Sequence, residues 1–419
     1  MNLLIKSAEI LDAQSPHHKS KVDVHVVNGT IEKIGKDLSV DSAQIIEGNS
    51  LKVSTGWVDM RAHFNDPGIE HKEDLESGSD AAIAAGFTKV LLMPNTEPVV
   101  DRKSGVKYIL KFSKTKTVDL LPTASVTLGA EGKDLTEILD LENAGASAFT
   151  DGLEPIWHTD IMLKALQYLQ KFDGVLINRA EDRMLTAFGH MNEGHVSTMM
   201  GLKAMPTLSE TIMIERDLNL LKYAGGKLHL SMISSKGSVE LIRGAKSEGL
   251  KVTCDVGVNY LKYTDNELSD YDTNLKVNPP YRSEEDRKAL IEGVLDGTID
   301  GIVSDHQPHD EESKKLEFDL ASFGSSNLQG FWPIINEVFG DQLDKVITRF
   351  TSKPREILGI EVPEIKEGNT AELTIFDSGT EWIFDHNTNK SKSPYSPLWG
   401  RNLRGKVFGI VNGNSFELN

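Results

Sequence analysis

The sequence contains little cysteine, a minority of basic residues and no long apolar run, and each shortage excludes a class of protein. The single cysteine, Cys254, cannot form an intrachain disulfide or a cysteine-rich metal site, and it is typical of a reducing cytoplasm. With 45 basic and 63 acidic residues, the formal charge of -18 argues against nucleic acid or an anionic membrane surface as the main partner. No apolar stretch approaches the ~20 residues of a membrane helix, and the first residues lack the basic-then-apolar order of a signal peptide. We therefore expect a soluble cytoplasmic protein.

Both ends of the chain show β-strand patterns, and the middle alternates between strand-like and helix-like patterns. Asn28-Gly29 lies between two such strand patterns and predicts a two-residue hairpin turn. From residue 56 onward, apolar runs alternate with longer helical patterns over about 300 residues, which indicates parallel strands joined by crossover helices. We predict an α/β fold with a TIM-like (β/α)8 barrel over residues 55–362 and a small β-sandwich domain that residues 1–54 and 363–419 form together. A doubly wound open sheet is the alternative for the middle region.

Polar residues lie at the ends of two strand candidates early in the middle region. On a strand, residues two apart point to the same side, so Asp59, Arg61 and His63 share one face. At the carboxyl end of a first barrel strand, that face would look into the mouth, where barrel enzymes carry out their chemistry. A single histidine in such a position is more often structural than a ligand. The next apolar strand leads to Asn95, which either follows a simple strand end or holds a polar substrate at the mouth.

A third group of polar residues ends a strand candidate late in the middle region. Asp305, His306 and His309 follow the strand candidate 301–304. A carboxylate at the end of a buried strand is costly unless a cation, a metal or hydrogen-bond donors pair with it. Three ionisable side chains in this position therefore favour a functional site.

These three segments, with six others in the same order, resemble the dihydroorotases of the amidohydrolase superfamily nearly from end to end. The other matching segments are 73–78, 178–182, 192–194, 276–282, 323–324 and 368–377. The resemblance implies the barrel, the β domain from both termini, and the reversible cyclisation of carbamoyl aspartate to dihydroorotate in pyrimidine biosynthesis. In such a reaction a metal lowers the pKa of a bound water and a carboxylate base moves the proton. Hydantoinase-type relatives carry a metal-bridging lysine after the fourth strand, whereas this sequence has Asp151 there and resembles the dihydroorotases that use aspartate.

The resemblance also implies six metal-ligand positions, of which three keep the family's ligand. The kept ligands are His63, Asp151 and Asp305, and the residues that replace histidine are Arg61, Arg179 and Met232. Arginine stays protonated and only donates hydrogen bonds, so it cannot bind a divalent cation. We expect the two arginines to pair with the two aspartates in place of a metal, and the methionine to fill the remaining space.

The substrate positions implied by the resemblance are incomplete as well. Asn95, Asn278 and His309 match the family's substrate contacts. Asn65 stands where the family places an arginine that holds the substrate carboxylate, and an uncharged amide cannot replace a bidentate guanidinium. The chain therefore keeps part of the implied binding site and lacks the group that would hold the substrate's charge.

Three functions are open on the sequence. The first is a catalytically silent or impaired dihydroorotase homologue without a cofactor, an oligomeric pseudoenzyme that acts as a partner of aspartate carbamoyltransferase. The alternative is an active dihydroorotase with zinc on His63, Asp151 and Asp305, in which Asp305 is the general base and a small anionic pyrimidine precursor is the substrate. The third is a repurposed pocket in which Arg61 and Arg179 bind a different anion. Two cations would repel a metal by several kcal/mol even at an effective dielectric constant of about 20, which favours the first function.

Overall fold

The computed structural model describes residues 1–48 and 50–419 of the chain. Its strands are β1 (Asn2–Leu11), β2 (Lys21–Val27), β3 (Thr30–Gly35), β4 (Gln44–Ile46), β5 (Leu51–Thr55), β6 (Trp57–Ala62), β7 (Phe87–Leu92), β8 (Asp119–Ala124), β9 (Ala148–Phe149), β10 (Val175–Asn178), β11 (Met191–Asn192), β12 (Ala204–Met205), β13 (Lys227–Leu230), β14 (Val252–Gly257), β15 (Gly301–Val303), β16 (Glu372–Ile383), β17 (Asn402–Asn412) and β18 (Ser415–Leu418).

The α-helices of the same residues are α1 (Leu75–Ala85), α2 (Lys103–Ser113), α3 (Ile138–Ala144), α4 (Thr159–Leu169), α5 (Arg183–Thr186), α6 (His195–Met200), α7 (Leu208–Ala224), α8 (Lys236–Ser247), α9 (Glu284–Asp296), α10 (Glu311–Lys314), α11 (Phe331–Phe339), α12 (Leu343–Val346) and α13 (Ser352–Leu358). Short 3-10 helices cover Leu128–Ala130, Gln170–Phe172, Val258–Leu261, Asp265–Asp270, Thr273–Leu275, Leu328–Gly330, Gly340–Gln342 and Ile347–Arg349. Within the described ranges, no helix has the length and apolar character needed to cross a membrane.

Eight parallel strands form a barrel in the order β6-β7-β8-β9-β10-β13-β14-β15. The last strand returns to the first, because Ala62 and His306 form a parallel bridge and the His63 amide donates to the His306 carbonyl at 2.9 Å. Every residue of β6 is buried, as expected for a parallel strand with helices on the outer face and side chains filling the centre. The predicted α/β barrel is therefore confirmed. The sheet is closed, whereas the alternative was a doubly wound open sheet.

The two ends of the chain form a second sheet of eight strands, in the order β18-β17-β16-β5-β1-β2-β3 with β4 on β1. β16 runs antiparallel to β5, with Ile375 opposite Val53, so the carboxyl-terminal strands continue the amino-terminal sheet directly. Asn28 and Gly29, at φ of 46° and 79°, form the predicted turn between β2 and β3. Positive φ at both residues is the signature of a type I′ turn, which matches the twist of the strands that it joins.

An aromatic cluster joins this sheet to the barrel. Trp57, the first residue of β6, packs edge-on against Phe350 and Phe376 at ring-centroid distances of 5.2 and 5.1 Å. On α13 the completely buried Arg355 forms an ion pair with Glu372 of β16 at 2.5 Å. These contacts lie at the amino end of β6, so the carboxyl ends of the barrel strands are free to form a mouth.

Long connections at the carboxyl ends of the barrel strands build that mouth. The connection after β10 carries α5, α6 and the small parallel sheet β11-β12 before α7 begins. The connection after β15 carries α10 and a long irregular stretch before α11. The outer helices are regular in comparison: α9 begins with a Ser283–Asp286 capping box and ends at Gly297, whose φ is 89°. Irregular backbone is therefore concentrated where a barrel of this kind has its functional residues.

Candidate functional site

The six implied metal-ligand positions all lie at the carboxyl ends of barrel strands. Arg61 is on β6 and His63 follows it, Asp151 follows β9, and Arg179 follows β10; the two remaining positions are Met232 after β13 and Asp305 after β15. All six side chains are buried, with relative exposures of at most 6%. The structure thus brings the residues singled out in the sequence to one end of the barrel, and their individual contacts decide what the site can do.

Arg61 and Asp305 form a buried ion pair at the centre of the mouth. The guanidinium Nε donates to Asp305 Oδ1 at 2.9 Å, and Gln307 Nε2 donates to the same oxygen at 2.8 Å. Burial raises the pKa of Asp305 above its usual value, and the charge of Arg61 opposes that rise. The expected pairing of Arg61 with one of the two aspartates is therefore present in the structure.

Arg179 pairs with a different carboxylate from the one expected. Its guanidinium forms an ion pair with Glu181, two residues further along, and its Nη2 donates to the Leu153 carbonyl at 2.5 Å. Burial would raise the pKa of Glu181, but the charge of Arg179 and hydrogen bonds from Thr186 and Asn278 lower it below the usual value. The expected partner, Asp151, has its donors elsewhere, so the Arg179–Asp151 pairing is corrected to Arg179–Glu181.

Asp151 accepts hydrogen bonds from the residues that follow the neighbouring strand β8 and not from the two arginines. The Thr127 amide donates to Oδ1 at 2.9 Å, the Ser125 hydroxyl donates to the same oxygen at 3.1 Å, and the Thr127 hydroxyl donates to Oδ2 at 2.6 Å. Burial raises the pKa of Asp151 and these hydrogen bonds limit the rise. Both carboxylate oxygens of Asp151 therefore already have hydrogen-bond donors from the protein.

His63 is the member of the set with an unused buried nitrogen. Its Nε2 is buried and has no hydrogen-bond partner among the described residues. Burial, followed by the nearby charge of Arg61, lowers the pKa of His63 well below its usual value, so the imidazole is neutral. A neutral imidazole nitrogen can bind a metal, but a site needs further ligands around the same point.

Met232 is held by a buried polar cluster that the sequence patterns did not reveal. Its amide donates to Asp255 Oδ1 at 2.6 Å with φ at 60°, a conformation that a backbone hydrogen bond of this kind can maintain. The other Asp255 oxygen lies 2.8 Å from His229 Nε2, and His229 Nδ1 lies 2.8 Å from Thr253 Oγ1. Both nitrogens of His229, the histidine of β13, are therefore engaged by Asp255 and Thr253.

The residues present do not fit the metal that the family implies. Among the described residues, no group of three His, Cys, Asp or Glu side chains is arranged to hold a metal ion. Arg61 pairs with Asp305, Asp151 accepts from Ser125 and Thr127, and the Nε2 of His63 has no hydrogen-bond partner within the described chain. A guanidinium only donates hydrogen bonds, so it cannot bind a metal ion. The charge of Arg61 neutralises the Asp305 carboxylate, which a metal cation would otherwise do.

The four implied substrate positions also contact the protein itself. Asn95 Nδ2 donates to the Asp151 carbonyl at 3.0 Å, and its Oδ1 accepts from the Leu153 amide at 2.9 Å. Asn278 Nδ2 donates to Glu181 Oε2 at 3.3 Å, and Asn65 Nδ2 lies 3.5 Å from the Pro308 carbonyl. Both ends of the Asn95 amide are therefore engaged, while Asn65 makes a single long contact.

His309, the fourth implied substrate position, is built into the long connection after β15. Its Nε2 donates to the Phe323 carbonyl at 2.7 Å, and its Nδ1 lies 3.3 Å from Lys72 Nζ, from which it accepts. Burial and the charges of Lys72 and Lys314 lower the pKa of His309 to about 3. The imidazole is therefore neutral at physiological pH, and both of its nitrogens are engaged.

Comparison with solved structures agrees with the barrel fold. Solved structures that resemble the chain are the L-hydantoinase of Arthrobacter aurescens, with a TM-score of 0.85 and 24% identity over 100% of this chain and 97% of that one, and a D-hydantoinase, with a TM-score of 0.81 and 18% identity over 100% and 95%. At these identities the likeness shows the fold alone, and it agrees with the barrel and the sheet of the two chain ends described above.

Sequence relatives then define the family. A family model described as dihydro-orotase-like matches residues 51–238. A dihydroorotase of Aquifex aeolicus is 40% identical over 97% of both chains, and one of Acetivibrio thermocellus is 39% identical over 98% of both. The chain belongs to the dihydroorotase family.

Proposed function

We propose that this chain is a dihydroorotase-family protein without metal-dependent ring-closing activity, and that it acts as an oligomeric partner of aspartate carbamoyltransferase. The observation that carries the silent site is the buried Arg61–Asp305 pair, because the family's late barrel aspartate is a metal ligand and here its Oδ1 accepts from Arg61 Nε at 2.9 Å. The partner role is the one that the resemblance implies for a member of the family without its metal ligands.

Electrostatics supports the silent site. Two unit charges of the same sign 4 Å apart repel by about 4 kcal/mol at an effective dielectric constant of about 20, and a divalent cation next to Arg61 would experience more. Binding zinc would also require Asp305 to release Arg61, leaving a guanidinium buried without its counterion. A ligand set of His63, Asp151 and Asp305 would therefore have to break existing contacts before it could form.

The competing function is an active dihydroorotase with a reduced zinc site on His63, Asp151 and Asp305. Two observations favour it: relatives covering nearly the full length are named dihydroorotase, and His63 Nε2 has no partner in the described chain. In that case Asp305 would be the general base and the substrate would be a small anionic pyrimidine precursor. The two functions predict opposite results in one measurement.

That measurement combines zinc content with ring closure of carbamoyl aspartate, on full-length protein purified with added zinc. A silent site predicts zinc far below one ion per chain and turnover no greater than the uncatalysed reaction. About one zinc per chain together with turnover that His63→Ala abolishes would establish the active enzyme instead. Exposed His386→Ala is the matched control, since it removes an imidazole that packs edge-on against Trp399 and is none of the implied ligands.

The partner role needs a separate experiment. Affinity-tagged chain, expressed in its native cell, is expected to co-purify with aspartate carbamoyltransferase and to co-migrate with it in gel filtration at working concentrations. Free migration of both proteins under those conditions would overturn the partner role and leave the silent site intact.

A further inference from the structure

Several mouth side chains converge on one short segment, residues 151–156, which connects β9 to α4 and is called the mouth segment here. Asn95 fastens its first part, because its Nδ2 donates to the Asp151 carbonyl at 3.0 Å and its Oδ1 accepts from the Leu153 amide at 2.9 Å. Arg179 Nε and Nη2 both donate to the Leu153 carbonyl, at 3.2 and 2.5 Å. Asn178 fastens the last part, with its Oδ1 accepting from the Ile156 amide at 2.9 Å.

Arg61 shows that this segment reaches the barrel axis. Its Nε contacts Asp305, which follows the eighth strand of the barrel, and its Nη2 donates to the Gly152 carbonyl, which follows the fourth, at 3.5 Å. In a barrel of eight strands the fourth and the eighth lie on opposite sides. A single guanidinium that contacts both must lie near the axis, and the Gly152 carbonyl lies next to it.

Gly152 makes this close approach possible. Its φ is 69°, in the left-handed region, and a Cβ built on it would lie 1.8 Å from Asn95 Oδ1. A side chain at position 152 would displace the Asn95 amide from the mouth segment. The contact between Asn95 and the mouth segment therefore requires glycine at position 152.

We propose that the mouth segment acts as an internal ligand that closes the barrel mouth, and that Asn95, Arg61 and Arg179 are positioning residues that hold it there. The inference deepens the proposed function and rests on it, since these side chains stand at the family's substrate and metal positions and here bind backbone instead. A small molecule could reach Asn95 or the Arg61–Asp305 pair only after the mouth segment had moved.

The amides of Leu153 and Ile156 provide the readout, because each donates to a side chain rather than to a helix or strand partner. Hydrogen exchange of peptides covering 151–158, measured on the full chain, should show protection in the wild type. Gly152→Ala and Asn95→Ala should each raise exchange there by about tenfold or more, while exchange in 252–257 stays unchanged. Should Gly152→Ala fail to fold, Asn95→Ala tests the same contact without backbone strain.

Gly201→Ala is the matched control for backbone strain. Its φ is 68°, almost identical to that of Gly152, but a Cβ there would meet nothing within 4 Å. This variant should leave exchange in 151–158 unchanged. Unprotected 151–158 peptides in the wild type, or exchange that neither mouth variant alters, would overturn the inference. Turnover by the wild type would overturn the silent site and the closed mouth together, whereas unprotected peptides in a protein without turnover would overturn the closed mouth alone.

Discussion

Arg61 and Asp305 neutralise each other where water does not reach, with side-chain exposures of 1% and 4%. Such a pair adds little net stability over an apolar replacement of both partners, but removing one partner leaves an uncompensated buried charge. Arg61→Met should therefore lower the free energy of unfolding by about 3–5 kcal/mol in urea denaturation. The double variant Arg61→Met/Asp305→Asn should lose clearly less.

Arg102→Met is the control for this prediction, because the Arg102 side chain is 82% exposed beside Asp101 and its loss should change stability by less than about 0.5 kcal/mol. An Arg61→Met protein as stable as this control would show that Asp305 does not depend on its cation.

Asp59 is a second buried carboxylate, and its contribution to the free energy of unfolding depends on pH. Burial raises its pKa to about 7, although Ser304 donates to it through amide and hydroxyl. This pKa lies above that of Asp59 in the unfolded chain. Between about pH 4 and 7 the folded chain therefore holds a proton on Asp59 that the unfolded chain has lost. As a result, the contribution of Asp59 to the free energy of unfolding falls as the pH rises. Asp59→Asn, whose amide can donate to the Ser304 hydroxyl, should remove a decline of about 4 kcal/mol. Urea denaturation at both pH values tests this, and parallel wild-type and variant profiles would contradict it.

Residue positions at the mouth were predictable, but their partners were not. Arg61, Asp151 and Arg179 follow strand patterns, and strand ends of a barrel converge whatever the loops do. Arg179 pairs with Glu181 and not with Asp151. Thr127 already donates to Asp151, and the path of residues 151–156 brings the Leu153 carbonyl to Arg179. Neither is encoded in a periodic pattern, since both arise from backbone groups that the fold brings together.

At the scale of elements, the connection after β15 is fastened more firmly than its charged sequence suggests. Lys314, the last residue of α10, is 1% exposed, and its Nζ donates to the Ser322 and Gly324 carbonyls at 2.9 and 2.8 Å. Burial and the charge of Lys276 lower its pKa to about 7. The charged run at 310–315 is typical of a solvated loop, and such a pattern cannot show that one lysine turns inward.

Lys314→Met should loosen this connection, because the apolar replacement leaves both carbonyls without a donor at a cost of about 1–3 kcal/mol each. Limited proteolysis within 310–324 should become several times faster than in the wild type. Lys315→Met is the control: its neighbouring ammonium pairs with Glu311 and its side chain is 65% exposed, so cleavage there should not change. Equal cleavage rates in the two variants would contradict an anchoring role for Lys314.

Long periodic elements were predictable and short ones were not. The sequence shows helical patterns over 209–223 and 284–295, and α7 and α9 match them within one residue at each end. β11 and β12 have two residues each, too few for an alternating pattern, and they form because the connection after β10 folds back on itself. The sequence pattern is strand-like at 371–377 and again at 381–384, and a bulge between Asp377 and Glu381 joins these two stretches in the single strand β16.

For the molecule as a whole, the scaffold and the site have diverged to different degrees. The chain aligns with the Aquifex aeolicus dihydroorotase over 97% of its length, yet three of the ligand positions that the resemblance implies hold Arg61, Arg179 and Met232. Stability of a barrel depends on many buried apolar side chains, so a few polar positions at the mouth can change without loss of the fold.

The triple variant Arg61→His/Arg179→His/Met232→His tests how far that divergence is reversible. It removes both cations, frees Asp305 and restores imidazole nitrogens beside His63, so we expect about one zinc per chain by metal analysis. Turnover of carbamoyl aspartate should remain low, because Asn65 still lacks the guanidinium that would hold a carboxylate. Adding Asn65→Arg to the triple variant should raise turnover more than zinc content. Full turnover by the triple variant without Asn65→Arg would show that Asn65 matters less than charge complementarity suggests. A triple variant without zinc would show that the mouth segment and Thr127 still keep Asp151 from binding the metal.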